Sequence, residues 1–288
     1  MTDVLLATCS AWPEGEPGGE RLVAELADRG LTAAWTVWDD PTVDWAGARL
    51  VAVRSTWDYE HRREEFLAWA RRVEQVTRLV NPAAVLEWNT DKAYLVDLAE
   101  AGLPVVPTLT AEDESELPPA IASFDVAVVK PRVAAAGRGV VVFDGEPGGP
   151  ADLDESMLEM GPWVVQPLVE SVRSEGETSV YVLGGEVVSQ VQKHPDPGEI
   201  RVQEEYGGRT DAVAVTDEAA ELARRTLATV EDLLDVELPV VRVDLMRLAD
   251  GELVVSEVEA TEAGLYLEVL PGNARAFADT VAALLSPT

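Results

Sequence analysis

Apolar positions along the chain alternate between two spacings. Val4–Thr8 (VLLAT) is a short continuous apolar run, as expected of a strand covered on both faces. Over GERLVAELADRG, Leu22, Val23 and Leu26 recur on one helical face, and Gly30 supplies the stop. LTAAWTVW and RLVAVRS return to strand character. REEFLAWARRVEQV then places Phe66, Leu67, Ala70 and Val73 on one helical face. This part predicts a small α/β domain ending near Pro82–Leu86.

The pattern then becomes mixed. DKAYLVDLAEA reads as a helix with Thr90 as its cap, Asp91 in its first turn and Gly102-Leu-Pro as its stop. VVPTL follows, then TAEDESELPPA, which reads as a solvated loop without chemistry. DVAVVKP is a strand, RVAAAGRG a small-residue loop, VVVF a second strand and DGEPGG a turn. WVVQPLV is a further strand. ETSVYVLGGEVVSQVQKH is a hairpin turning at Gly184-Gly185, and a GEIRVQEEYGG loop follows it. DEAAELARRTLATVEDLL is an amphipathic helix. PVVRVDLMRLADGELVVSEVEA is a second hairpin, turning at Asp250-Gly251, and NARAFADTVAALL is a last helix. No internal repeat is visible.

With 288 residues, 47% of them hydrophobic, the chain can bury a large core, as one elaborate domain or as two to three subdomains. No apolar run approaches the roughly 18–20 residues of a membrane helix, and MTDVLLATCSAW has no basic leader. A soluble cytoplasmic protein is expected. The single cysteine, Cys9, cannot form an internal disulfide and reads as a buried thiol at a strand end. A net charge of −31 argues against nucleic acid or an anionic membrane as partner.

Charge changes the picture most at lysine. Of 22 basic residues only Lys92, Lys130 and Lys193 are lysine. They are chance survivors or compact point charges gathered on one polyphosphate. Lys130 lies in the strand before the loop that carries Gly137 and Gly139. A Walker loop or a dinucleotide fingerprint would need a helix after the glycines, and β-branched residues follow instead. A strand–loop–strand hairpin can still lay backbone N–H groups over phosphates. In the last hairpin, Arg242 and Asp244 share one strand face, as do Glu257 and Glu259 on the next strand. Three carboxylates beside an arginine suit Mg²⁺, or form a solvated polar face on an acidic protein.

The order of these features resembles the ATP-grasp superfamily of carboxylate–amine ligases over roughly residues 86–270. That order is capped-helix lysine, strand lysine with glycine loop, Gln-Pro strand, Glu before a hairpin, Lys, Arg, Arg-x-Asp and Glu-x-Glu. The resemblance implies an α+β ATP-grasp fold. It would comprise an N-terminal α/β domain (1–88), a central lid subdomain (89–164) and a C-terminal subdomain with the metal site (165–288). It further implies that Lys92 and Lys130 hold ATP phosphates under the Gly137/Gly139 loop. Gln166, Leu168 and Val169 would line the adenine, with backbone groups of the last two reading its edge, and Glu177 would bind the ribose. Arg242 would steady the transferred phosphoryl group, with Lys193 and Arg201 adding positive charge. Asp244, Glu257 and Glu259 would hold Mg²⁺, with Mn²⁺ as an alternative. Many members carry Asn where Glu259 stands, and TEAGLYL replaces their usual Pro-Gly.

RSTWDYEHRREEF, WNTDK, VQPLVESVRSEGE, RVQEEYGG and EVEATEAGLYLEV resemble more closely the branch containing the cycloserine-forming O-ureido-serine cyclo-ligase. On this resemblance Arg54 is a candidate for a substrate carboxylate and Asp58 for an ammonium. The alternative is a local Arg54–Asp58 ion pair with Trp57 and Tyr59 as packing. Glu262 and Tyr266 are further substrate candidates. His194 reads as a strand cap and His61 as surface. The implied chemistry turns a poor electrophile, a small amino-acid-like carboxylate, into an acyl phosphate that a nitrogen nucleophile then attacks, inside one molecule or between two. A kinase and a nucleotide-binding regulator on the same fold are the competing readings, and a dimer is an open alternative to a monomer.

Overall fold

The computed structural model describes residues 2–144 and 158–286; most of the expected DGEPGG turn lies outside them. Three sheets carry the architecture. The first is parallel, with strand order β2-β1-β3-β4, built from β1 (Val4–Thr8), β2 (Ala33–Val37), β3 (Leu50–Ser55) and β4 (Arg78–Leu79). Alternation splits its side chains between two cores. Val4 and Leu6 pack with Leu22 and Leu26 of α1 (Glu20–Asp28) and with Phe277 and Val281 of α8 (Gly272–Leu285). Leu5 and Ala7 pack on the other face with Phe66, Leu67 and Val73 of α2 (Arg63–Glu74). The last helix thus covers the first sheet. Arg49 Nη2 and Arg78 Nη1 donate to the terminal carbonyls of α8 at Leu285 and Leu284, 3.1 and 2.7 Å away, satisfying groups the helix leaves open.

The second sheet is antiparallel, in the order β5-β8-β6-β7, from β5 (Leu109–Ala111), β6 (Val126–Pro131), β7 (Val141–Asp144) and β8 (Trp163–Pro167). Residue 164, where the lid was expected to end, lies inside β8. The stretch expected as a solvated loop supplies β5 and a short helix, α5 (Leu117–Ile121). Leu117, Ala120 and Ile121 are buried against Ala127, Val129 and Trp163. Prolines in the first turn are compatible with this helix, because those N–H groups have no intrahelical partner.

The third sheet, β11-β10-β9-β12-β13, is also antiparallel. Its strands are β9 (Glu177–Leu183), β10 (Glu186–His194), β11 (Arg209–Val213), β12 (Val240–Arg247) and β13 (Leu253–Glu259). β11 is a mostly exposed edge strand, RTDAV, so no apolar alternation announces it. After the short helix α6 (Ser171–Ser174), α7 (Asp217–Leu234) packs Leu222, Ala223, Leu227 and Val230 on this sheet. Thr216 caps it by accepting the Ala219 N–H at 3.4 Å.

One cap differs from expectation. Thr90 closes α3 (Ala83–Asn89) instead of opening the next helix, α4 (Tyr94–Glu100). Its hydroxyl donates to the Glu87 carbonyl at 3.3 Å and accepts from Arg63 Nε at 2.8 Å. Asp91 takes the capping contact before α4 instead, its Oδ1 accepting the Ala93 N–H at 3.0 Å. No helix among the described residues is long and apolar enough to cross a membrane.

Candidate active site

A cleft of about 670 Å³ opens where the three sheets meet. One end is apolar. Val106 and Val169 pack with Val254 and Met246, and Val128 of β6 lines the same cleft. Gln166 is buried in this wall, its Nε2 donating to Thr108 Oγ1 at 2.9 Å. The Leu168 N–H, expected to face a base, is already bonded to the Val126 carbonyl at 2.9 Å.

The other end holds charge. Antiparallel register sets Asp244 opposite Glu257 and Arg242 opposite Glu259. One carboxylate oxygen from each of Asp244, Glu257 and Glu259 lies within 4.8 Å of the others. This all-oxygen set fits a hard divalent cation. Arg242 donates from Nε to Asp244 Oδ1 and from Nη2 to Asp244 Oδ2, both at 2.8 Å, and also pairs with Glu259. Lys193 Nζ lies 3.1 Å from Asp244 Oδ2 and pairs with Glu177, whose other oxygen lies 3.3 Å from Ser256 Oγ. Glu177, expected at a ribose, is therefore engaged inside the acidic cluster. Lys193 neutralises that cluster from beneath, at 3% exposure.

Burial and these neighbours set the protonation states. Burial alone would raise Asp244, but Arg242 and Lys193 overcome it and hold the carboxyl far below its usual range. Burial opposes Glu257 ionising too, yet Lys92, 2.9 Å away, keeps it below the ordinary value. Glu259 goes the other way. Burial, with Asp244 and Glu257 adding negative charge, pushes it to about 7 despite Arg242. Burial beside Glu259 and Glu257 pushes Glu262 to about 8. Lys92 is raised, since Glu257 outweighs its desolvation, and its Nζ also donates to the Ala134 carbonyl at 2.8 Å. Lys130 is lowered by burial and has no ion pair among the described residues.

Gly137 and Gly139 both have left-handed φ, +68° and +69°. A Cβ at Gly137 would sit 2.9 Å from Gln203 Oε1 and 3.3 Å from Arg201 Cδ, so the glycine loop meets the 201–203 loop with no room for side chains. Arg201 lines the cleft, salt-bridged to Glu199 at 2.5 Å and stacked on Tyr206 at 3.6 Å.

The expected substrate residues divide. Arg54 is not at the cleft. It is 1% exposed, paired with Glu16 Oε1 at 2.7 Å and donating to the Ala263 carbonyl at 2.6 Å. Its partner is Glu16, and no Arg54–Asp58 pair forms. Asp58 lines the cleft, but its two oxygens accept from Trp38 Nε1 at 2.9 Å and Arg62 Nη2 at 2.8 Å. Tyr59 is buried core, whereas Trp57 stands edge-on to Trp12 at 5.5 Å on the cleft wall. Glu262 and Tyr266 do line the cleft. Tyr266 holds a left-handed φ of +48°, with its ring 6.0 Å from the Arg242 guanidinium. His61 is exposed, and Cys9 is a buried thiol after β1.

Two positioning asparagines escaped sequence reasoning. Asn89 donates to the Val258 carbonyl at 2.7 Å and accepts the Ala260 N–H at 2.8 Å, clamping the strand end that carries Glu259. Asn81 donates to the carbonyls of Val240 and Ala260 at 2.7 and 2.6 Å. Asn89 lies in the WNTDK motif, which was the only available signal.

The chain is similar to known proteins over most of its length. Residues 4–81 match the family model of the D-cycloserine synthetase DcsG N-terminal domain, and residues 92–247 match the prokaryotic glutathione synthetase ATP-grasp domain. The chain is 36% identical over 272 residues to the cycloserine biosynthesis protein DcsG of Streptomyces lavendulae, covering 90% of each. It is 28% identical to the glutathione synthetase of Synechococcus elongatus over 51% of this chain and 45% of that one. The crystal structure of D-cycloserine synthetase DcsG superposes with a TM-score of 0.87, covering 98% of this chain and 99% of that one at 29% identity. The ATP-grasp ligase PsnB complexed with a phosphomimetic variant of its minimal precursor, Mg and ADP has a TM-score of 0.66 at 18% identity, covering 99% of each chain, and speaks for the fold alone.

Proposed function

Since the chain belongs to the ATP-grasp ligases, the family of D-cycloserine synthetase DcsG, we propose that its cleft activates a small amino-acid-like carboxylate for C–N bond formation. ATP-dependent ligation with release of ADP is the activity, and the substrate class, metal and residue roles are our assignments. The observation that carries them is the convergence of Lys92, Lys130, Arg242 and three clustered carboxylates at one end of a cleft whose other end is apolar.

Adenine fits the apolar slot between Val128, Val169 and Met246. Successive residues of an extended strand direct their N–H and C=O groups to alternate edges. With the Leu168 N–H spent on β6, we assign the adenine edge to the Pro167 carbonyl and the Val169 N–H, on the opposite edge of the strand. Lys92 and Lys130 hold phosphate oxygens, and the Gly137–Gly139 backbone covers them. Lys130, lacking a carboxylate partner, is poised for an anion. A Mg²⁺ ion held by Asp244, Glu257 and Glu259 would screen the phosphate charge. Arg242 stabilises charge on the transferred phosphoryl group. The carboxylate oxygen attacks the γ-phosphorus as its bond to the ADP oxygen breaks, leaving an acyl phosphate. Nitrogen attack on the acyl carbon then expels phosphate.

The substrate sits towards Trp12, Trp57 and Tyr266. Glu262 takes the ammonium role, because its carboxylate has no ion pair among the described residues while Asp58 is engaged. The related DcsG is a D-cycloserine synthetase, so an intramolecular amide is the product class we favour. We keep a first subdomain to residue 88 and move the lid border to Pro167, the end of β8. A cytoplasmic setting supplies the ATP and Mg²⁺ that this reading needs.

The test is an ADP-release screen of small amino acids, alone and with nitrogen nucleophiles, with products read by mass spectrometry. A substrate-dependent ADP burst with a dehydrated or amide-linked product supports the reading. A stable phosphorylated product, or no amino-acid dependence, overturns it.

A further inference from the structure

Glu60 lies in the short turn Tyr59–Arg62 of the first subdomain, outside the ligand set described above. Its side chain is 4% exposed although it carries a charge. Two of its partners come from the lid's glycine loop: the Ala135 N–H donates to Oε2, and the Arg138 guanidinium pairs with Oε1; the third, the exposed His61, has its Nε2 3.4 Å from Oε1 on the same turn. Arg138 Nη2 also donates to the Trp57 carbonyl at 3.3 Å. Trp57 in turn donates from Nε1 to the Glu262 carbonyl at 3.2 Å and stands edge-on to Trp12. One chain of contacts therefore runs from the loop over the phosphates to the wall of the substrate end.

Burying a carboxylate between subdomains is costly unless it is paired and hydrogen-bonded. Here, apart from the exposed His61 imidazole on the same turn, the compensating groups exist only when the loop lies against the first subdomain. We infer that Glu60 is a positioning residue that latches the glycine loop to the Trp57 turn, so that closing over nucleotide and building the Trp57–Glu262 wall are one event. This rests on the loop being the phosphate cover. A loop bound elsewhere leaves Arg138 without its acid and the Trp57 carbonyl without its donor. Nucleotide then organises the amino-acid end without touching it.

Hydrogen exchange on the full chain, with and without Mg²⁺ and the non-hydrolysable analogue AMP-PNP, reads this directly. In the native protein, loop residues 133–140 and rim residues 57–62 and 261–266 should both slow by about fivefold or more on adding the analogue, the lower end of ordinary coupling. In Glu60→Ala and in Arg138→Ala the loop should still slow, while the rim changes by less than about twofold. The charge swap Glu60→Arg with Arg138→Glu should restore rim protection, which a general packing defect would not allow. Rim protection at native size in both single variants overturns the latch. Failure of the native loop to slow at all instead removes the phosphate-cover reading, whatever Glu60 does. The two single variants approach the contact from opposite sides, so misfolding of one leaves the other to decide.

Discussion

Lys92 Nζ stands 2.9 Å from Glu257 Oε1, linking the turn before α4 to the carboxylate cluster at the end of β13. Each group holds the other in its charged form. Glu257→Ala should lower ADP release by about 100-fold or more, the scale of removing one key electrostatic group. Lys92→Met should weaken ATP binding while leaving Mg²⁺ binding measurable. Steady-state kinetics across ATP and Mg²⁺ concentrations separate the two outcomes.

Lys130→Ala should abolish turnover without a stability cost. Its ammonium is desolvated and has no carboxylate partner among the described residues, so it binds its proton less firmly than a free lysine. The melting temperature of the variant should match or exceed that of the parent, while ADP release falls by about 100-fold. A lower melting temperature with retained turnover would assign Lys130 to structure.

Stability should depend on pH in the neutral range. Glu259 and Glu262 have folded-state values of about 7 and about 8, above those of an unfolded glutamate. The stability associated with their protonated forms is fully present below the unfolded value of about 4.3 and is lost as pH rises through the folded values. The metal-free protein should therefore melt at a lower temperature at pH 8.5 than at pH 6. Mg²⁺ should narrow the gap, because a cation at Glu259 favours the ionised form. Thermal melts at both pH values, with and without Mg²⁺, check the sign.

Arg54 and Glu16 form an ion pair at 1% and 3% side-chain exposure, and Glu16 Oε2 also accepts the Leu265 N–H at 2.8 Å. Breaking it by Arg54→Met strands a buried carboxylate and should cost about 3–5 kcal/mol in denaturant unfolding. Glu262 and Tyr266 sit on the tethered segment, so KM for the amino-acid substrate should rise more than KM for ATP.

The elements with strong periodicity were legible in the sequence. α7 and the two hairpins follow from apolar spacing and glycine turns, and strand alternation alone aligned Arg242 with Asp244 and Glu257 with Glu259. What stayed hidden depends on contacts distant in sequence. Arg54 looked free for a ligand because its partner, Glu16, is 38 positions away in a glycine-rich loop. Glu177 pairs with Lys193 through a hairpin register that apolar spacing alone does not number. Thr90 looked like an N-cap, but it ends the preceding helix, and Asp91 accepts the Ala93 N–H ahead of the next one. The α5 segment carried enough Glu and Pro to mask three buried apolar side chains.

The first sheet borrows one of its covers from α8, an element synthesised long after the strands it shields. Until α8 emerges, Val4, Leu6 and Leu50 lack Phe277, Ala278 and Val281 on that face, and the arginines that meet the α8 carbonyls wait without them. Nascent chains should expose an oily, aggregation-prone flank until then, a natural target for holding chaperones. Truncations that remove α8 should be insoluble even though every presumed ligand-binding side chain remains.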